Sequence, residues 1–140
     1  MLKKLQQKGT LPGFKRTPQR LAILEYLDGN TEHPSAEEVY EAVSKTNPSL
    51  SFATVYNTLN TLVHAGAILE ISLDPERRRY DPNTTLHNHA ICIECRRVMD
   101  IPATTPVNLP QQMTPAFNVM CCHVEFYGTC ASCQSKKRIS

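Results

Sequence analysis

Residues 86–95 read LHNHAICIEC, and four of these ten residues are histidine or cysteine. It holds two histidines two positions apart, His87 and His89, and then two cysteines three positions apart, Cys92 and Cys95. In an extended strand, successive side chains point to opposite faces. We therefore expect His87 and His89 on one face and Cys92 on the other, so that a single strand contributes to two different metal sites.

A second CxxC pair follows near the end of the chain, where Cys130 and Cys133 come after thirty-four intervening residues. Two such pairs supply the four thiolates that a closed tetrahedral zinc site requires, so the spacing predicts structural zinc. A thioredoxin-like redox function is the alternative for a single CxxC, but it needs a helix beginning after the first cysteine and a β-α-β context, which the sequence does not indicate. Cys121 and Cys122, adjacent in a strand-like run, are interpreted as a buried packing residue and its outward neighbour.

The first half of the chain predicts three short helices followed by a hairpin. Thr17 is a suitable N-cap with Pro18 at the first helical position, and Ser35 with Glu38 forms a capping box. Gly66 is the expected C-cap of the third helix. The order helix, helix, helix, hairpin is that of a winged-helix domain. The helices are expected within residues 17–27, 35–43 and 51–66, and the strands within 67–73 and 78–80, with a turn at Asp74 and Pro75.

The third helix of a winged-helix domain enters the major groove of DNA, and the wing contacts phosphates. Tyr56 is suited to meet thymine methyls and Asn57 to hydrogen-bond base edges; the alternative is that both are ordinary surface residues. The net charge of only +2 does not establish a DNA partner, although the first twenty residues carry six basic side chains and no acid. The polar side of the helix is expected to hold Thr54, Tyr56, Asn57 and Thr58, and the basic residues expected at DNA are Arg16, Arg20 and Arg77.

A turn-like break at Asp81, Pro82 and Asn83 is interpreted as a hinge between two domains. The expected boundaries are 1–81 for the winged helix, 82–84 for the hinge and 85–140 for a second, smaller domain. The apolar runs HAICI, RVMDI and VMCCHVEFY are expected to be its strands, whereas four prolines between residues 102 and 115 argue against a long helix. A core of this size is marginal, so we expect a metal or a partner subunit to stabilise it.

The remaining candidate ligands are His33, Asp81 and Asp100, besides His87 and His89. Taken singly, each has a plain explanation: His33 and Asp81 as turn residues before prolines, and Asp100 as a strand end. The pair His87 and His89 is more informative because one strand face presents two imidazoles. Spacing alone nevertheless leaves a metal site and a structural role equally open.

The chain contains TPQRLAILEYL, HPSAEEVY, SFATVYNTL, RRYDP, HNHAICIEC, MDI and EFYGTCASC. This combination resembles the ferric uptake regulator (Fur) family from about residue 16 to residue 133. Within that family, the residue types at Asn57, Asp81 and Asp100 are most similar to those of the peroxide-responsive repressor branch. The resemblance implies an α+β protein with an N-terminal winged helix and a small C-terminal α/β dimerisation domain. It further implies a homodimeric repressor of palindromic operators in double-stranded DNA.

The resemblance also implies two metal sites and a signal. Hydrogen peroxide would be sensed through iron-catalysed oxidation of His33 or His87, followed by release of DNA, whereas manganese would give a repressor insensitive to peroxide. Imidazole and carboxylate ligands suit Fe²⁺ or Mn²⁺, whereas thiolates favour zinc. The implied ligands are Cys92, Cys95, Cys130 and Cys133 for zinc, and His33, Asp81, His87, His89 and Asp100 for the regulatory iron or manganese.

Other functions stay open from the sequence alone. A repressor of the same family that senses iron or zinc supply would respond to metal depletion and not to peroxide. A mononuclear metalloenzyme would need an acid or base beside the ligands, and only His64 and His123 are left over among the histidines, so we expect no enzyme. A zinc-stabilised protein-interaction module would not bind DNA. No apolar run approaches the ~20 residues of a membrane span, and no signal peptide is indicated, so a cytoplasmic protein without a membrane partner is expected.

Overall fold

A computed structural model of the chain describes residues 2, 11, 13–72, 77–104, 107–119 and 122–139. The chain forms two compact units, Met1–Thr84 and Thr85–Ser140. The hinge expected at residues 82–84 stays a prediction. Within the described ranges, no helix is long and apolar enough to cross a membrane.

The first unit is a winged helix, as the order of its elements predicts. Thr17 accepts a hydrogen bond from the Arg20 N–H, and Ser35 and Glu38 form the expected capping box. The C-cap of the third helix is Ala65, one residue before the expected position, and Gly66 follows with a φ of 69°, a left-handed conformation that glycine adopts without strain. The elements are α1 Pro18–Leu27, α2 Ala36–Ser44, α3 Phe52–His64, β1 Leu69–Ser72 and β2 Arg78–Asp81.

The helices α1, α2 and α3 enclose an apolar core. Side chains spaced three or four positions apart face inward from α1 and α3, and Tyr80 of β2 packs against the same cluster. β1 and β2 form an antiparallel hairpin in which Leu69 lies opposite Asp81. The expected turn at Asp74 and Pro75 lies outside the described residues. The fully buried apolar side chains of α1 and α3 are Ile23, Leu24, Leu27, Val55, Leu59 and Leu62.

The second unit is a three-stranded sheet followed by a helix. The strand order is β4-β3-β5, in which β3 pairs antiparallel with β4 and parallel with β5. The first two expected strands are present. Between residues 102 and 119, the described part contains only a 3₁₀ turn, Thr114–Ala116, so no long helix forms there. The elements are β3 His87–Cys92, β4 Val98–Pro102, β5 Glu125–Gly128 and α4 Ala131–Ile139.

Two features of this unit differ from the sequence prediction. The strand expected over VMCCHVEFY is limited to β5, so Cys122 lies outside it and is partly exposed; Cys121 lies outside the described residues. Helix α4 is not predicted by any pattern, because its sequence ASCQSKKRI has no apolar stripe and buries only Cys133. At its start, the Gln134 N–H donates to the Cys130 carbonyl at 2.9 Å.

Candidate metal centres

Four cysteine thiols of the second unit lie together. Each offers a sulfur that is within 4.8 Å of the other three. The Sγ atoms of Cys95 and Cys130 are 3.7 Å apart, which is too far for a disulfide bond of about 2.05 Å. The arrangement thus offers four sulfur donors to one ion, the number and chemistry of a structural zinc site. The four are Cys92, Cys95, Cys130 and Cys133.

Local backbone structure brings the two cysteine pairs together. After β3, the chain turns tightly: the Arg96 N–H donates to the Cys92 carbonyl at 2.9 Å, and Arg96 adopts a left-handed φ of 63°. Parallel pairing of β3 with β5 continues through the Ile93 N–H, which donates to the Gly128 carbonyl at 2.8 Å. The pairing places Cys130, two residues after Gly128, beside the turn that carries the first pair.

Hydrogen bonds within the cluster lower the pKa of Cys92 and raise that of Cys133. The Cys130 N–H donates to the Cys92 sulfur at 3.3 Å, and this bond helps lower the pKa of Cys92 to about 6. The hydrogen bond with the Cys130 sulfur raises the pKa of Cys133 to about 12. Four adjacent thiols therefore do not all ionise near neutral pH by themselves, and a bound cation would compensate the charge of four thiolates.

The expected absence of a helix after the first cysteine of a CxxC pair is wrong for the second pair. Cys130 immediately precedes α4, and a helix N-terminus favours a thiolate. The rest of a thioredoxin-like context is lacking in the described part of the unit, where β4 and a 3₁₀ turn, and no α-helix, separate β3 from β5. Cys130 also shares its surroundings with three other thiols, which favours metal binding over redox exchange.

In the first unit, His33 and Asp81 form a buried pair. His33 lies between α1 and α2, Asp81 ends β2, and each side chain is 1% exposed. Nε2 of His33 is 3.4 Å from Oδ2 of Asp81. An imidazole and a carboxylate withdrawn from water need a partner, and together they present one nitrogen and one oxygen donor to a cation.

In the second unit, His87 and His89 project from the same face of β3 toward Asp100 of β4. Asp100 lies opposite His89 in the register, and its Oδ1 is 3.2 Å from Nε2 of His87 and 3.5 Å from Nε2 of His89. Because a carbonyl only accepts, Nδ1 of His87 donates to the Thr85 carbonyl at 2.7 Å. That bond leaves Nε2 of His87 as the nitrogen available to a metal ion. Cys92, at the end of the same strand, joins the thiols and not the imidazoles.

The residues expected at DNA are distributed over the first unit. Arg20 and Asn57 line one open groove together with Asn60, Thr61 and His64 of α3. Tyr56 is 39% exposed. Arg16 and Arg77 are exposed as well.

Two threonines of α3 differ in how well they fit the prediction. The expectation that Thr58 lies on the polar side of α3 is wrong. Its side chain is fully buried, and its hydroxyl donates to the Thr54 carbonyl at 2.6 Å, so this threonine belongs to the inward face three positions after Val55. Thr54 is half-buried, and its hydroxyl is 2.9 Å from that of Ser51 within the N-cap. Thr54 is therefore less available to DNA than Tyr56 and Asn57.

Sequence reasoning misses the position of Arg79. The run of arginines at 77–79 is typical of a basic wing, but the Arg79 guanidinium contacts Glu38 of α2 and the carbonyl of His33. The sequence signal for this contact is weak, since it consists of a capping-box glutamate and a basic run that lie far apart in the chain. Neither motif by itself predicts that the two are in contact.

Comparison with known proteins gives one consistent result. Residues 12–127 match the ferric uptake regulator family. The chain is 39% identical over 127 residues to the peroxide-responsive repressor PerR of Staphylococcus aureus, which covers 89% of this chain and 85% of that protein. Among solved structures, the Campylobacter jejuni peroxide stress regulator is 31% identical with a TM-score of 0.67, covering 95% of this chain and 96% of that one. The iron-containing ferric uptake regulator of Francisella tularensis is 26% identical with a TM-score of 0.70, covering 87% and 96%.

Proposed function

This chain belongs to the ferric uptake regulator family, and on that premise we propose that it is a cytoplasmic, metal-dependent transcriptional repressor that responds to hydrogen peroxide. The observation that carries the proposal is the separation of donor types. One cluster contains only thiols, whereas the buried pair of the first unit and the group on β3 and β4 contain only imidazoles and carboxylates. Similarity to two proteins named for peroxide, from Staphylococcus aureus and Campylobacter jejuni, supports peroxide as the signal.

The type of donor atom indicates which metal each site would bind. The four thiols would hold structural Zn²⁺, and the nitrogen and oxygen donors would hold one regulatory Fe²⁺ or Mn²⁺. An ion that takes ligands from both units would favour one arrangement of the DNA-binding units over others, which is a population shift. The proposed regulatory ligands are His33, Asp81, His87, His89 and Asp100.

For peroxide sensing, this chain would supply ligands whose loss weakens the binding of the regulatory metal. Fe²⁺ held by these ligands would supply the electron that reduces peroxide to an oxidant able to attack a nearby imidazole, whereas Mn²⁺ would react poorly. His33 and His87 are the residues proposed to be oxidised. Each is buried, at 1% and 8% exposure, so their oxidation would be confined to chemistry that begins inside the site. Losing either ligand would release the constraint on the DNA-binding units.

For DNA binding, α3 would lie in the major groove with Tyr56 and Asn57 toward the bases. Arg16, Arg20 and Arg77 would contact phosphates, which makes binding salt-sensitive. A homodimer would place two such helices on the two halves of a palindromic operator. The edge strand β5 supports this, because Phe126 and Tyr127 are 54% and 59% exposed there and exposed apolar edges are usually covered.

The test compares iron-loaded and manganese-loaded protein, both with zinc bound, on a duplex selected from a random pool by the manganese form. Peroxide is expected to add oxygen to His33 or His87, detected by mass spectrometry, and to release DNA only from the iron form. Asp100→Glu is the matched variant, which is expected to keep metal-dependent DNA binding and to resist peroxide. If no histidine gains oxygen and DNA stays bound, while metal depletion alone releases it, the protein senses metal supply and the peroxide proposal is wrong.

A further inference from the structure

Arg79 crosses from β2 to the segment that precedes α2. Its Nη1 donates to the His33 carbonyl at 3.1 Å and to Oε2 of Glu38, also at 3.1 Å. The side chain is only 19% exposed. Its neighbour Arg78 is 44% exposed and pairs with Glu70 across the hairpin at 3.6 Å. The two adjacent arginines thus have different surroundings. Arg79 donates a hydrogen bond to the backbone of His33, a candidate metal ligand, whereas Arg78 pairs with Glu70.

His33 requires such support because its backbone is unusual. Its φ of 52° lies in the left-handed region, which residues with a Cβ rarely adopt. The residues after it are attached to β2 as well: the Tyr80 N–H donates to the Pro34 carbonyl at 3.0 Å, and Ser35 forms a bridge with Arg79. β2 therefore holds the segment that carries His33 and ends in Asp81, the other member of the pair.

Glu38 links this arrangement to the start of α2. Its Oε2 accepts from the Ser35 N–H at 2.8 Å and from Arg79 at 3.1 Å. The Glu38 N–H donates in turn to the Ser35 hydroxyl at 3.2 Å. The carboxylate that completes the helix cap therefore also fixes the guanidinium, and an ionised pair of this kind gives the stronger class of hydrogen bond.

We infer that Arg79 is a positioning residue for the regulatory metal, a role that rests on the proposed function. By holding the His33 carbonyl, Arg79 keeps the imidazole of His33 aligned with the carboxylate of Asp81 before a metal ion binds. Groups that orient metal ligands raise affinity without touching the ion, and their loss typically weakens binding by about 10-fold or more. Arg79 is therefore expected to determine metal affinity, whereas Arg78 is not.

The experiment titrates Mn²⁺ into the zinc-loaded full chain and measures free Mn²⁺ by electron paramagnetic resonance. Arg79→Gln is expected to raise the Kd about 10-fold. Arg79→Lys is expected to recover part of the affinity, because an ammonium group can replace one of the two hydrogen bonds. Arg78→Gln is the matched control and should leave the Kd unchanged. His33→Ala removes a proposed ligand, and its Kd gives the affinity to expect when the site has lost one ligand.

A second readout uses the zinc-loaded protein without Mn²⁺. Amide hydrogen exchange at Ser35 and Tyr80, whose N–H groups hold the segment after His33, is expected to be faster in Arg79→Gln than in Arg78→Gln. Exchange at core positions such as Leu24 and Leu59 should not change. Faster exchange throughout the first unit would instead reveal a general loss of stability and would overturn the positioning role.

The two proposals fail in different ways. If wild-type protein binds Mn²⁺ more tightly than His33→Ala, but Arg79→Gln and Arg78→Gln bind it equally, the role of Arg79 is wrong and the proposed function stands. If wild-type protein and His33→Ala bind Mn²⁺ equally, His33 is not a ligand, and the proposed function fails together with the inference that rests on it.

Discussion

The two units of this protein are stabilised by different means. The first, Met1–Thr84, contains the main hydrophobic cluster, to which α1, α2, α3 and Tyr80 contribute. The second, Thr85–Ser140, contains ten of the twelve exposed large hydrophobic side chains of the described residues, and its buried apolar side chains include two of the four clustered cysteines. From this difference we expect apolar burial to suffice for the first unit, and the second to depend on a metal ion and a covering surface.

Removing one thiolate should have the largest effect. Cys95 is exposed, so Cys95→Ser removes one of the four proposed zinc ligands with little loss of packing. Structural zinc contributes on the order of 10 kcal/mol of binding free energy in small zinc domains. We expect the variant to lose most of its zinc and the second unit to lose protection from amide exchange, while the first unit stays folded. Metal analysis and exchange mass spectrometry measure both.

Cys122→Ser is the control for this substitution, because Cys122 lies outside the thiol cluster. It should keep full zinc content and normal exchange. If Cys95→Ser unfolded both units equally, or left the second unit protected without zinc, the contrast between the units would be incorrect.

A core substitution in the first unit should have the next largest effect. Leu59 is fully buried, and Leu59→Ala is expected to lower the free energy of unfolding by about 2–5 kcal/mol without changing zinc content. Leu86→Ala makes the same chemical change at a side chain of the second unit that is 72% exposed, and we expect a change within about 0.5 kcal/mol. Urea unfolding followed by circular dichroism compares them; equal losses would contradict the assignment of the core.

The same contrast explains which features the sequence could predict. The helices of the first unit follow from local signals, such as the Ser35 capping box and the apolar stripe of α3, because burial there is periodic. The thiol cluster follows from CxxC spacing, since zinc chemistry restricts its ligands. Helix α4 has neither signal: its residues are polar, and it begins where the Cys130 carbonyl accepts from Gln134, a contact that no pattern encodes.

Long-range polar contacts are equally beyond sequence reasoning. The run of arginines at 77–79 predicts a basic wing, yet Arg79 lies against Glu38, forty-one residues earlier. Thr58 is buried although its residue type predicts the polar face, because a threonine in a helix can satisfy its hydroxyl within the helix, here on the Thr54 carbonyl. Composition and periodicity locate the elements, but they do not specify such pairs.

The smallest effect is expected inside the core of the first unit. Tyr80 is 1% exposed, and its hydroxyl has no hydrogen-bond partner among the described residues. Burial raises the pKa of Tyr80 to about 12, so the phenol is neutral at physiological pH. A buried hydroxyl without a hydrogen bond costs about 1 kcal/mol or more. Tyr80→Phe keeps the ring and removes that cost, so it should leave the first unit equally stable or up to about 1 kcal/mol more stable.

Urea unfolding of the wild-type protein and of Tyr80→Phe checks this expectation, and Tyr26→Phe at a partly buried tyrosine of α1 serves as the control. A loss of more than about 1 kcal/mol in Tyr80→Phe would show that the hydroxyl makes a stabilising hydrogen bond. The first unit would then depend on a buried polar contact as well as on apolar burial, and the distinction between the two units would be one of degree.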